Sequence, residues 1–254
     1  MKALKKLSLA LASAAFWLLL WFGASMAVGN PLILPSPIAT FARLAELSLE
    51  SDFWKTVGSS LLRVVVGIAI AIPFSALFSW LCSSSKIADA LFSPAVTLMK
   101  SVPVVSFILI AIFLFDRSII PSAIAFMMVF PVLYENIREG IISVPRELLE
   151  MARVFRLSFP LKLKRIYAPA IAPYFFAAVT ASVGLALKAG IAAEVIAYIP
   201  TSIGKKLSDA KSYMEPADLL AWTAAILIIG LLLEYLLRIT LKRTQRRRTN
   251  GKAD

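Results

Sequence analysis

Charged side chains within long apolar runs are the residues that most need a reason. Lys188 sits well inside one such run, on roughly the face shared by Thr180 and Gly184, and Glu194 lies six residues further on. Lys100 and Glu135 lie nearer the ends of two other runs, and Arg63 opens a fourth. An ionisable group in a bilayer is costly and marks a solute or ion path by default. A lysine there would attract an anion; its other role is to snorkel to the nearby interface. Lys188 and Glu194 fall on different faces of one helix and do not pair within it. Lys188, Glu194, Lys100 and Glu135 are therefore the candidate pathway residues. Structural roles at the span ends remain open for Lys100 and Glu135.

Other chemistry is missing. The chain has no histidine, which removes the commonest general base and metal ligand. A single cysteine, Cys82, rules out an internal disulfide and a cysteine-rich metal site. Gly204-Lys205-Lys206 lacks the upstream glycine of a phosphate-binding loop. No span holds paired carboxylates or a nucleophile cluster, so no catalytic residue, metal or cofactor is expected. If ATP drives this protein, another subunit must bind it. The net charge of +12 raises the question of nucleic acid. The basic residues instead gather at the chain ends and in one central loop, with no aromatic-interleaved basic face, so nucleic acid is not an expected partner.

The elements that carry these residues are membrane helices. Hydrophobic residues make up 59% of 254 positions, with mean hydropathy +0.82, against roughly 45–50% in soluble proteins. A span needs about 20 apolar residues. Six are expected, over about 7–28, 57–81, 93–115, 119–137, 168–193 and 219–240. The first could instead be a signal peptide cut near Ser25-Met26-Ala27, although its apolar run is long for one. Residues 38–49 have the spacing of an amphipathic surface helix. Gly67, Ala71, Ser75 and Ser79 form a stripe of small residues suited to close helix packing, and Ala178, Ser182, Ala186 and Gly190 form another. The positive-inside rule puts both termini and the loop 138–167 in the cytoplasm. The chain reads as one transmembrane domain, 1–254, with a five-span core bundle over 57–241.

The loop itself is unusual. Ser143 can cap a helix beginning near Pro145. Leu148, Met151, Ala152 and Phe155 then share one face, and Arg146, Glu147, Glu150 and Arg153 the other. Pro160 is expected to end this helix. A short amphipathic helix outside the bilayer suits docking into a groove on a soluble partner; lying flat on the membrane is the alternative.

Glu150-Met151-Ala152, Arg156, Ile166 and Ala168-Pro169 fall at the spacing of the Glu-Ala-Ala loop of bacterial ABC-importer permeases, and the chain resembles that family. Leu34-Pro35-Ser36-Pro37, Ser60-Leu61-Leu62-Arg63 with Gly67, and Ala192-Ala193-Glu194 resemble its nitrate, sulfonate and taurine branch. The resemblance runs from about Leu34 onwards. It implies an all-α, type I ABC importer permease fold in the cell inner membrane. It further implies a coupling loop, here Glu147, Glu150, Met151, Ala152, Arg156, Ile166 and Pro169, that meets a separate ABC ATP-binding subunit. A second permease copy and a periplasmic or lipid-anchored substrate-binding protein complete the implied assembly, with a small oxyanion as substrate. Met151 departs from alanine, Ala168 from leucine and Arg156 from glycine; the last matters most, because arginine resists a sharp turn. The alternative is a secondary transporter driven by an ion gradient, which would favour inverted repeats and proton-carrying carboxylates.

Overall fold

The computed structural model describes residues 2–250, with side chains described at 8, 9 and 11–240. The side chains of Lys2, Lys5, Lys6 and the basic tail 242–248 lie outside the described residues. The described residues form helices joined by short turns, with no strand among them. The helices are α1 (Lys2–Val28), α2 (Pro37–Leu49), α3 (Ser51–Ser84), α4 (Lys86–Ser101), α5 (Val104–Leu114), α6 (Ile120–Ile142), α7 (Arg146–Val154), α8 (Phe159–Lys162), α9 (Ala168–Ala197), α10 (Ile203–Ser212) and α11 (Pro216–Asn250). A π-helical turn, Leu163–Tyr167, joins α8 to α9. Among the described residues, five helical segments are long and apolar enough to cross a membrane, or six if α4 and α5 together make one span.

That pair corrects the expectation of a continuous helix over 93–115. The chain bends by 107° between α4 and α5. Pro103 causes the break: it has no N–H to donate, and its ring drives Val102 out of the helical region, to φ −79° and ψ 133°. α5 then packs Ile108 and Ala111 against Ile120 and Ile124 of α6 and Ala189, Ala193 and Ala197 of α9.

The centre of the bundle is α3, α6 and α9, brought together by their small residues. A Cβ on Gly67 would lie 2.5 Å from the Ser122 carbonyl of α6, and one on Gly190 would lie 2.8 Å from Val64 of α3. Ala71, Ser75 and Ser79 are wholly buried in the same seam. With no water in hydrocarbon, their hydroxyls bond across it: Ser75 donates to the Phe130 carbonyl at 3.1 Å and Ser79 to the Tyr134 carbonyl at 2.7 Å. From α6 the Ser122 hydroxyl donates back to the Arg63 carbonyl at 2.8 Å. The second stripe, Ala178, Ser182, Ala186 and Gly190, is buried on the inward face of α9.

The periphery is held more lightly. α1 exposes most of its side chains and is fixed at one end, where Trp21 Nε1 donates to the Pro35 carbonyl (3.1 Å) and Ser25 to the Leu34 carbonyl (2.9 Å). α2 is amphipathic as its spacing predicts and is capped by Ser36. It is clamped to α11 by Arg43, which grips Asp218 with two hydrogen bonds, at 2.6 and 3.0 Å. Residues 203–212, between the expected spans 168–193 and 219–240, form α10, capped by the Ser202 hydroxyl accepting from the Lys205 N–H at 2.9 Å.

Candidate functional site: the α7 loop and the charges of the bundle

α7 begins at Arg146 with Pro145 before it and no side-chain cap. Ser143, expected to cap α7, closes α6 instead, donating to the Gly140 carbonyl at 3.0 Å. Pro160 does not end α7 either; it sits in the first turn of α8. The helix stops earlier, at Arg156, whose φ of +49° is left-handed. The Leu157 N–H donates to the Ala152 carbonyl (2.9 Å) and the Arg156 N–H to the Arg153 carbonyl (3.0 Å), the paired bonds of a Schellman cap. The sharp turn is therefore kept although arginine stands where the family's pattern has glycine.

The expected apolar face divides in two. Ala152 is wholly buried, and forms a small cluster with Val144 and Ile166, flanked by Leu149, Leu157, Tyr167 and Ala170. That cluster ties α7 to the π-helical turn and the start of α9. Leu148, Met151 and Phe155 instead face outward with Val154, which is 78% exposed. Glu147, Glu150, Arg156 and Pro169 are exposed as well. Trp80 of α3 braces the far side, edge-on to Phe159 at 5.4 Å and Tyr167 at 4.9 Å. At nine residues, roughly 14 Å long, α7 cannot cross hydrocarbon.

The charged residues of the bundle mostly find one another. Glu194, a pathway candidate from the sequence, is 1% exposed and sealed inside the chain. Its carboxylate accepts from Arg63 Nη1 at 3.1 Å, Ser60 Oγ at 2.8 Å and the Gly204 N–H at 3.2 Å. Ser60 Oγ in turn accepts from the Ile203 N–H at 2.9 Å. One carboxylate thus fastens α10 to α3 and α9, and Glu194 lies buried beneath α10. The Arg63–Glu194 partnership was missed from the sequence, where 131 positions separate the two; only the co-occurrence of opposite charges near span ends hinted at it. Lys100 and Glu135 form a half-exposed ion pair across α4 and α6, with Nζ–O distances of 2.7 and 2.9 Å. Arg138 of α6 meets Asp89 of α4 at 2.7 Å. On α10 the Lys205 ammonium, 2.5 Å from Asp209, holds that carboxyl below its ordinary range. Lys188 is exposed and has no hydrogen-bond or ion-pair partner among the described residues.

The bundle of long apolar helices with an amphipathic loop helix at one end finds counterparts among known proteins. Residues 64–250 match the family model described as the binding-protein-dependent transport system inner membrane component, and the chain belongs to that family. A protein of Brucella melitensis named a probable ABC transporter permease is 28% identical over 92% of this chain and 93% of its own length. The bicarbonate transport system permease protein CmpB of Synechococcus elongatus is 29% identical over 79% of this chain and 77% of its own. SsuC of Bacillus subtilis, named for aliphatic sulfonates transport, is 24% identical over 84% and 78%. ThiX of Halalkalibacterium halodurans, named for formylaminopyrimidine transport, is 26% identical over 70% and 72%. In fold, a chain from a bacterial ABC transporter involved in the import of the acidic polysaccharide alginate superposes with TM-score 0.67 at 16% identity, covering 95% of this chain and 98% of that one. The protein is a multi-pass inner-membrane component similar to permeases of ABC transporters, among them ones named for bicarbonate and for aliphatic sulfonates.

Proposed function

We propose that the chain is the membrane subunit of an importer that moves a small oxyanion such as nitrate, a sulfonate, taurine or bicarbonate, driven by ATP bound on a separate subunit. The observation that carries the reading is α7. Its exposed Leu148, Met151, Val154 and Phe155 lie beside Glu147 and Glu150, outside any span, on a helix fixed to the bundle by Ala152. An apolar face that the chain itself does not cover, with charges beside it, suits the groove of a soluble protein. Because Ala152 and Leu149 seat α7 against Val144, just after α6, and against Ile166 and Ala170 at the start of α9, a push on α7 is passed towards the core helices. A pair of such chains would rock between outward- and inward-facing states. A binding protein would deliver the solute at the α10 end, and α7 and both termini would be cytoplasmic.

The anion preference rests on relatives named for bicarbonate and aliphatic sulfonates. A relative named for a formylaminopyrimidine sets the rival substrate class. Purification from native membranes is expected to bring down an ATP-binding subunit. Glu150→Lys should abolish ATP-dependent uptake while the chain remains in the membrane. Coupled uptake in Glu150→Lys would sink the reading. So would uptake that survives ATP depletion and collapses with the proton gradient, which is the signature of the secondary-transporter alternative. A competition panel of taurine, bicarbonate, nitrate and formylaminopyrimidine reads the substrate class.

A further inference from the structure

We infer that the chain binds a diacyl anionic phospholipid where α3, α6 and the start of α9 meet, with its two acyl chains in paired apolar grooves and its headgroup on Lys162, Lys164 and Arg165. Two cavities adjoin there. One, about 370 Å³, is walled by Trp80 of α3, Ile137 of α6 and Phe159 of α8. The other, about 360 Å³, runs along Ala172 and Phe176 of α9. Leu163, Ile171 and Phe175 line both and so stand between them. Every residue lining either cavity is hydrophobic, and Phe159 and Leu163 are exposed at the surface. Two apolar grooves on either side of one ridge suit the two slender tails of a diacyl lipid.

Charge sets the headgroup end. Lys162 closes α8, and Lys164 and Arg165 follow Leu163 in the π-helical turn. None of the three has an ion-pair partner among the described residues, whereas Arg63, Lys100, Arg138 and Lys205 each hold a carboxylate. No Asp or Glu occurs from Met151 to Ala193. Glu139 lies between Ile137 and Ile141 in sequence but on the opposite face of α6 from them. Three cations within four positions are too costly for hydrocarbon and put this turn at headgroup level. Trp80 packs edge-on against Phe159 and Tyr167 beside it, and Trp and Tyr favour that same level. From Arg165 to Phe175 the chain rises roughly 15 Å, so the grooves lead from the cations towards the hydrocarbon. A basic cluster at the mouth of an interhelical groove is the arrangement that holds an anionic headgroup. Tyr167 also flanks the cluster around Ala152, so the lipid packs against the joint that seats α7.

The test places the full chain in phosphatidylcholine vesicles that carry brominated phosphatidylglycerol or brominated phosphatidylcholine, each at the same low mole fraction. Bromine on an acyl chain quenches tryptophan at contact, and subtracting the signal of Trp80→Phe isolates Trp80 from the other four tryptophans. Phosphatidylglycerol should quench Trp80 several-fold more strongly than phosphatidylcholine does. Phe176→Trp, a reporter in the second groove, should show the same preference independently. Lys164→Gln with Arg165→Gln should reduce the preference by about fivefold for each charge removed, and Lys164→Arg should retain it. Both side chains are exposed and unpaired, so their loss leaves the fold intact. Equal quenching by the two lipids, the result for ordinary bilayer solvation of the grooves, overturns the inference. Quenching by neither, the result if a second copy of the chain covers them, overturns it as well. So does a preference that the double substitution leaves unchanged. ATP coupling and the solute affect none of these outcomes, so lipid binding can fail while α7 docking stands, and the converse holds too.

Discussion

Glu194 shows how a single residue changes meaning once its surroundings are known. As a carboxylate near the end of an apolar run it is a candidate for binding a solute or a proton. Its three donors, from Arg63, Ser60 and the Gly204 N–H, tie it to α3 and to the start of α10. The geometry around it leaves little slack: a Cβ on Gly204 would lie 2.4 Å from the Glu194 Cβ. Removing one partner of a buried ion pair leaves the other charge uncompensated, at a cost of about 3–5 kcal/mol. Arg63→Ala should therefore lower the thermal midpoint of the detergent-purified protein sharply. Adding Glu194→Gln should restore much of it, because a neutral amide can remain in the site. An unchanged midpoint in Arg63→Ala would show that Ser60 and Gly204 suffice. Lys188, by contrast, gains no partner from folding among the described residues.

At the scale of elements, α7 depends on a strained residue. A left-handed arginine costs roughly 1–2 kcal/mol relative to a right-handed one. Glycine removes that strain but loses roughly 0.5–1 kcal/mol through its freer unfolded chain. Arg156→Gly should thus stabilise the loop by up to about 1 kcal/mol, a factor of roughly five in its opening equilibrium. Limited chymotrypsin cleavage after the exposed Phe155 should slow correspondingly. Faster cleavage would mean that the arginine side chain holds the cap in some way beyond its backbone. The same scale explains the α4–α5 bend. A long apolar run reads as one span, but Pro103 divides it, and two short helices can then face different neighbours: α4 reaches α6 through Asp89 and Lys100, while α5 packs on α6 and α9.

For the whole molecule, the two ends of the bundle differ in kind. One presents α7, α8 and the π-helical turn, with Lys162, Lys164 and Arg165 nearby; the other presents α2 and α10 with their own ion pairs. On the proposed reading, the positive-inside rule puts the first end in the cytoplasm. A membrane-impermeant maleimide should label a cysteine placed at Lys211 in intact cells, and one placed at Arg153 only after permeabilisation. The reverse pattern would invert the orientation and place α7 on the wrong side for an ATP-binding partner.

Local pattern by itself determined five of the six expected spans, the amphipathic character of α2 and α7, and the small-residue seams. These follow from hydrophobic length and periodicity, which act along the chain. The family was legible for the same reason, since its loop pattern is a matter of spacing from Glu150 to Pro169. Tertiary structure decided which charges are spent on each other. Arg63 meets Glu194, Lys100 meets Glu135 and Arg43 meets Asp218 only because helices far apart in sequence lie side by side. It decided, too, which half of the α7 face is buried, because Ala152 is covered by Ile166 and Val144 while Phe155 is not. An ion pair depends on approach in space, and approach is set by the packing of three helices through their glycines and serines, which no single segment encodes.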